Sequence, residues 1–250
     1  MTEDRRRLKL ILSYNGAPFA GWQSQANDNG IQDHVEAAFR KLCGETVRVH
    51  GAGRTDAGVH AFAQCAHADV PAKRFTPATW LNGLNGQLPP EIRIERCLAA
   101  RSDFHARFDA KAKTYRYRIW NAEVLSALEV GKVWHVISPI DRAMMAGVAR
   151  QFVGRHDFAA FTANRGHPVT DTIRTIKAAK VRTRGALIEI EFSGDGFLYK
   201  MVRLLVGTLV RCATGKDRLE TVRERLSKPG TECSREVAPA AGLYLMRVSY

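Results

Sequence analysis

Gly51-Ala52-Gly53-Arg54-Thr55-Asp56-Ala57-Gly58-Val59-His60 separates two runs that read as strands, Thr46 to His50 before it and Phe62 to Val70 after it. Its glycines allow tight turns and close approach by another group. A loop of this kind between two strands presents a carboxylate, Asp56, in a cleft with the Arg54 guanidinium two residues away. An arginine that near favours the charged form of an aspartate. An ionised aspartate serves as base, nucleophile or metal ligand. A structural turn with a local Arg–Asp pair explains the same letters. A phosphate-cradling loop fits less well, because the spacing is neither GxGxxG nor GxxxxGK followed by Ser or Thr.

The pattern on either side of the loop alternates strand and helix. Lys9 to Tyr14 reads as a strand. Ile31 to Cys43 sets Ile31, Val35, Ala38, Phe39 and Leu42 on one helical face, and Gly44 stops it. Thr76-Pro77 has the form of an N-cap followed by proline in the first turn, which predicts a helix over Pro77 to Leu88. Ile92 to Ala100 closes this half as a strand. The second half opens with a strand over Lys113 to Trp120. Ser138-Pro139 repeats the capping signature ahead of a helix lined by Ile140, Met144, Val148 and Phe152. Thr172 to Thr183 and Ala186 to Ser193 form a hairpin around Arg184-Gly185. Helices follow over Phe197 to Ala213 and Leu219 to Leu226, and a strand over Gly242 to Ser249. Each half runs approximately strand, helix, strand, strand, helix, strand. That order predicts α+β units with helices on one face of a mostly antiparallel sheet. The halves divide as 1–108 and 109–250, with no flexible linker and no clear sequence repeat between them.

Composition narrows the function classes. The chain has 250 residues, 45% of them hydrophobic, enough to bury a core. Lys plus Arg is 38 against 25 for Asp plus Glu, a formal charge of +13. That surplus suits a polyanionic partner, since neutralised phosphates release counterions. No apolar run approaches the roughly 20 residues of a membrane span, and Leu8 to Leu12 is too short for a signal peptide. A cytoplasmic location is expected. Cys43, Cys65, Cys97, Cys212 and Cys233 are scattered and never spaced CxxC, as befits buried thiols in a reducing compartment. The histidines form no HExxH pattern and do not pair with those cysteines, so no structural zinc or catalytic metal site is expected.

The decapeptide from Gly51 to His60 resembles, nearly letter for letter, the active-site motif of the tRNA pseudouridine synthase A family. Gly21-Trp22-Gln23 and Gly30-Ile31-Gln32-Asp33 resemble that family's N-terminal signatures. Phe104-His105-Ala106-Arg107-Phe108 and Tyr115-Arg116-Tyr117 resemble its central ones. Gly196-Phe197-Leu198 with Met201-Val202-Arg203, and Ala238-Pro239-Ala240 with Gly242-Leu243-Tyr244-Leu245, resemble its C-terminal ones. The resemblance spans essentially the whole chain. It implies an isomerase that converts uridine to pseudouridine at positions 38, 39 and 40 of the tRNA anticodon stem-loop, without cofactor or metal. It implies Asp56 as nucleophile, Tyr115 against the target base and Arg203 paired with the aspartate. The implied fold is two related, RRM-like or ferredoxin-like halves sharing a central sheet, and the implied assembly is a homodimer.

The chemistry asks for such residues. The bond from C1′ to N1 must break, the captive uracil must turn, and a bond from C1′ to C5 must form. A carboxylate can attack C1′, add to C6 of the base, or remove a sugar proton; the sequence does not separate these. All three need shielding from water, which would trap the sugar. The base must also leave its stack. An aromatic wall such as Tyr115 contributes about 1–3 kcal/mol per stacked base. Tyr117 shares its face by alternation and reads as a core aromatic. Lys200, Arg203, Gly207 and Arg211 line one stripe of the helix after Phe197, with Lys200 and Arg211 available to phosphates. Arg54 has three candidate roles: pairing Asp56, gripping a phosphate, or helping displace the base. His60 reads as a residue that shapes the loop. Arg5 to Arg7 reads as a frayed charged terminus rather than a phosphate-binding arm. Two rival classes stand beside this reading. A non-catalytic RRM-like RNA-binding module explains charge and element order, but lacks the RNP aromatic signature and leaves Asp56 without purpose. A nucleotide hydrolase would need metal-binding carboxylates, and Asp33 and Asp69 are poorly placed for that.

Overall fold

The computed structural model describes residues 4–25, 28–163, 171–228, 234 and 236–250. The main elements are β1 (Arg5–Tyr14), α1 (Ile31–Cys43), β2 (Val49–Gly51), β3 (His60–Pro71), α2 (Pro77–Gln87), β4 (Ile92–Ala99), β5 (Ala112–Trp120), β6 (Trp134–His135), α3 (Arg142–Gln151), β7 (Gly154–Asp157), β8 (Ile173–Arg184), β9 (Leu187–Gly194), α4 (Met201–Ala213), α5 (Leu219–Ser227) and β10 (Leu243–Ser249). Among the described residues it is a mixed α/β fold of mostly antiparallel strands with five α-helices. The chain forms two compact units, Met1–Lys111 with Leu245–Tyr250, and Ala112–Tyr244.

In the first unit the strand order is β4-β1-β3-β10, and β2 also pairs with β3. β1 runs antiparallel to both of its neighbours. Strand alternation turns Leu8, Leu10 and Leu12, all fully buried, to one face. That face meets the helical layer, where Phe39 of α1 and Trp80 of α2 lie with ring centroids 5.3 Å apart. Burying each such side chain contributes roughly 1.5–3 kcal/mol. The helix ends follow the sequence signals: Gly44 caps α1 in the left-handed region, and the Thr76 side chain accepts the Thr79 N–H at the start of α2.

The opposite face carries the alternate residues. The Lys9 Nζ lies 3.9 Å from the Tyr250 ring centroid and 4.9 Å from that of Phe104, while Tyr250 OH donates to Ala106 O at 2.7 Å. Arg7 grips Asp69 through two hydrogen bonds of 2.6 and 2.7 Å and donates to Phe104 O at 2.9 Å. Arg5 pairs with Glu45 at 3.0 Å, and Arg5 to Arg7 stand opposite Pro71 to Asp69 on β3. The three arginines are therefore strand residues, not a frayed arm, because cross-strand partners hold them.

In the second unit the order is β5-β9-β8-β7, with β6 parallel to β5. The β8–β9 hairpin closes at Arg184 opposite Leu187, as its sequence predicts. Two helix starts differ from expectation. α3 begins at Arg142, where the Asp141 carboxylate accepts the Met144 N–H at 2.9 Å. The carbonyl of Ser138 is used instead by Asn121 Nδ2. Met145, Val148 and Ala149 form the buried side of α3, while Met144 is exposed. α4 begins at Met201 rather than Phe197, because Lys200 stands at φ 56° in the left-handed region. Residues 197–199 are held by tertiary contacts instead: the Phe197 ring meets Tyr115, and Tyr199 O accepts the Ala163 N–H. Nor is the stripe along α4 an open basic face. Gly207 is buried, and Asp217 holds Arg211 through two hydrogen bonds of 2.8 Å.

Cys43, Cys65, Cys97 and Cys212 are buried free thiols; Cys233 lies outside the described residues. Among the described residues, no helix is long and apolar enough to cross a membrane.

One buried imidazole makes the first unit sensitive to acid. His67 Nδ1 accepts the Ala106 N–H at 3.1 Å. The ring stacks on His50 at 5.0 Å and meets His105 edge-on at 4.6 Å. Burial first, then repulsion from His105, Arg7 and His50, brings its pKa down to about 4. A folded-state pKa below the ordinary value means that neutral His67 stabilises above pH ~6.5 and that this contribution is lost as pH falls towards 4. Urea unfolding at pH 7.5 and 4.5 should show wild type losing about 1–2 kcal/mol more than His67→Gln, with solvent screening at the open edge of the cluster reducing the full linkage value.

Candidate active site

The loop from Gly51 to His60 is clamped along its length by β3, by Tyr14 at the end of β1 and by the segment that follows it. The Ala52 N–H donates to Cys65 O at 2.7 Å, and Gln64 Nε2 donates to Gly53 O at 2.8 Å. Thr55 is held on both sides of its peptide. Its hydroxyl lies 2.9 Å from Tyr14 OH, and its carbonyl accepts the Trp22 N–H at 3.0 Å. Tyr14 is buried, and burial pushes its hydroxyl pKa up to about 12, so it stays neutral. Further on, the Val59 N–H donates to Asp56 O at 3.1 Å, and His60 Nδ1 accepts the Gly16 N–H at 3.1 Å. Asp56 thus sits half-buried at the tip of a loop with anchors on either side.

Glycine makes this clamp possible at two places. Gly21 has φ 100°, and a Cβ there would stand 2.5 Å from Thr55 O and 3.0 Å from the carbonyl carbon of Asp56. At Gly51 a Cβ would run into the Trp22 indole. The Gly21-Trp22 pair therefore lies directly under the peptide that carries Asp56.

Arg54 is exposed, and its Nε donates to Gln23 Oε1 at 3.1 Å. Among the described residues Gln23, not Asp56, is the hydrogen-bond partner of this guanidinium. Gln23 is in turn bonded to Gln32 on α1, and Gln32 to Glu36. The resemblance flagged Gln23 and Gln32 as signature letters without giving them a task. Glu36 went unnoticed, although its spacing of four from Gln32 puts both on one helix face.

In the second unit, Tyr115 stands opposite Phe192 on β9 and is buried. Its ring meets Phe197 edge-to-face at 5.2 Å and 84°. Tyr117, on the same face, is fully buried and donates its hydroxyl to Pro239 O at 2.7 Å. Burial pushes its pKa upward, and it is a core aromatic. Arg203 lies in the first turn of α4. Its Nε donates to Ala238 O at 2.7 Å, while the Ala238 N–H donates to Arg203 O at 3.1 Å. This reciprocal pair fixes the Ala238-Pro239-Ala240 segment against the helix. Asp56 and Arg54 belong to the first unit, Tyr115 and Arg203 to the second. Among the described residues, no group of three or more His, Cys, Asp or Glu is placed to hold a metal ion.

Known proteins give the class. The family model described as tRNA pseudouridine synthase matches residues 10–109 and 148–250, so the protein is an isomerase of the pseudouridine synthase class. A tRNA pseudouridine synthase A from Acetivibrio thermocellus is 39% identical over 98% of this chain and 100% of its own length. One from Akkermansia muciniphila is 42% identical over 98% of this chain and 95% of its own length, and one from Nitrobacter hamburgensis 40% over 98% and 99%. The chain belongs to the tRNA pseudouridine synthase family.

The Gly21 packing has a direct consequence for stability. Gly21→Ala should cost about 2–4 kcal/mol, from backbone strain together with overpacking. The measurement is the shift of the urea midpoint at an unchanged m-value.

Proposed function

We propose that this enzyme isomerises uridine to pseudouridine at positions 38, 39 and 40 of the tRNA anticodon stem-loop, with Asp56 as the nucleophile. The observation that carries the reading is the loop itself. Asp56 stands at the tip of a segment whose neighbours on both sides are tied down, inside a region matched by the family model. A carboxylate held in this way needs little reorganisation to meet its target, and such pre-orientation is worth several kcal/mol of barrier.

In this reading the RNA delivers a flipped uridine, and Tyr115 offers an aromatic surface to the exposed base. The Asp56 carboxylate attacks the nucleotide, at C1′ of the sugar or C6 of the uracil, or else takes a sugar proton. The glycosidic bond from C1′ to N1 breaks, the retained uracil turns, and C5 bonds to C1′. The proton that leaves C5 is lost to solvent, N1, freed from the sugar, takes one up from solvent, and the carboxylate is regenerated. Arg203 serves as the cationic partner that keeps the carboxylate charged. Arg54 acts on the RNA, at a phosphate or in displacing the base. The enzyme works in the cytoplasm as a homodimer, so that one tRNA touches both subunits.

Asp56→Asn should reduce tritium release from tRNA labelled at uracil C5 by about a thousandfold or more, as for other residues that make the covalent step, while tRNA binding persists. Full turnover in that variant would sink the mechanism. Tyr115→Phe keeps the stacking surface and removes the hydroxyl. A single-turnover rate equal to wild type in that variant would limit Tyr115 to stacking. Mapping pseudouridine at 38, 39 and 40 in treated tRNA tests the positions, and sedimentation of the free protein tests the dimer.

A further inference from the structure

A chain of side-chain hydrogen bonds runs from helix α1 to the active-site loop with a fixed direction. It begins at Glu36. Its Oε1 accepts the Val49 N–H at 3.0 Å and Gln32 Nε2 at 2.9 Å, and its Oε2 pairs with Arg48 at 3.0 Å. A carboxylate only accepts, so Gln32 must turn its amino group towards Glu36. Its Oε1 then faces the other way, where it accepts Gln23 Nε2 at 2.9 Å and the Ser24 N–H at 3.3 Å. Gln23 has now spent its amino group, so the atom it presents at the far end is Oε1, and that oxygen accepts Arg54 Nε at 3.1 Å. Turning either amide over would set donor against donor or acceptor against acceptor. The polarity at Arg54 is therefore decided by the carboxylate on α1.

A guanidinium carries five N–H groups. Gln23 takes the one on Nε, which fixes the plane of the group at its root. The side chain is exposed, and this bond leaves its two terminal amino groups uncommitted to Gln23. This is the fork that grips a phosphate. We infer that Gln23, oriented through Gln32 and Glu36, is a positioning residue that holds Arg54 with its terminal amino groups directed at an RNA phosphate. The inference rests on the proposed function, since it takes RNA to be what Arg54 meets. It assigns the three linked residues a task in substrate capture, and among the roles open to Arg54 it selects the phosphate grip.

The test is steady-state kinetics of pseudouridine formation with unmodified tRNA, accompanied by thermal unfolding of each variant. Gln32→Glu sets a carboxylate against Glu36; the repulsion drives residue 32 away from α1's carboxylate and withdraws the acceptor that orients Gln23. It should lower kcat/KM about tenfold, which is ~1.4 kcal/mol, and the change should fall on KM because a phosphate grip acts alike on bound substrate and transition state. The exchange Gln32→Glu with Glu36→Gln restores complementary partners at the same net charge: residue 36 then donates to residue 32, which still accepts from Gln23. It should bring kcat/KM back to within about twofold of wild type, a free-energy gap of ~0.4 kcal/mol. In an Arg54→Ala background Gln32→Glu should have no further effect, because the residue that it positions is gone.

Three results would overturn the inference. One is an unaltered KM in Gln32→Glu. Another is the same tenfold loss in the Arg54→Ala background, as a merely structural role would give. The third is an exchange variant with a wild-type melting temperature and uncorrected KM. Should Gln32→Glu itself melt early, Gln23→Ala, which removes the last link without adding charge, carries the same expectations. The wild-type arm separates this from the proposed function: if wild-type protein forms no pseudouridine, the functional reading fails, whereas active wild type with indifferent variants removes only the relay.

Discussion

The hydrogen bond from the Trp22 N–H to Thr55 O is the tie on which the site's geometry depends. It joins the turn after β1 to the loop that carries Asp56, and it forms only because Gly21 lets the two backbones come close. Around it the clamp is redundant: Tyr14, Phe19 and Gly16 each hold a different point of the loop. A loop of ten residues left to itself samples many shapes, and ordering each residue costs about 1–2 kcal/mol. Here that cost is met when the first unit folds, through buried backbone and side-chain bonds, and none of it remains to be met when substrate arrives. The site is therefore loop in sequence and scaffold in mechanical terms.

The surplus of positive charge divides into two populations. Many arginines are structural. Arg7 is committed to Asp69, Arg116 to Glu189 and Glu191, Arg118 to Glu129, and Arg211 to Asp217. These pairs join neighbouring strands or close loops, and each leaves little charge over for a polyanion. Arg54 differs in kind. Its partner is a neutral amide, so its charge is held in place without being cancelled. Formal charge counts both populations alike, and only the pairing tells them apart.

Local signals in the sequence were legible where one residue type had one physical consequence. Gly44 ended α1 because it adopts the left-handed region cheaply, and Thr76 capped α2 because its hydroxyl can accept an orphan N–H. Ser138 misled for the reverse reason. It carries the same hydroxyl, but Asp141 lies nearer the first helical turn and accepts the bond instead. Lys200 gave no warning of its left-handed backbone, since nothing about lysine favours φ 56°; tertiary contacts of Phe197 and Tyr199 impose it. In the site, Asp56 and Arg54 could be picked out from their glycine-rich setting, whereas Gln23, Gln32 and Glu36 could not be assembled. Gln32 and Glu36 share a helix face by their spacing of four, but the links onward to Gln23 in the turn and Arg54 in the loop are encoded by no spacing in the chain.

The return of Leu245–Tyr250 to the first unit has a bearing on how the protein is made. Tyr250 closes over Lys9 and reaches Ala106, but the whole of Ala112–Tyr244 intervenes. A ribosome delivers residues in order, at roughly 5–20 per second. The first unit therefore waits, with one strand missing from its sheet and one aromatic missing from its second face, while the entire second unit emerges. Through that interval β3, covered on its β10 side only by β2 at Ala66–Ala68, presents the rest of its edge unpaired, the kind of surface that recruits foreign strands. Only once Leu245–Tyr250 has followed Ala112–Tyr244 is the unit that bears Asp56 complete.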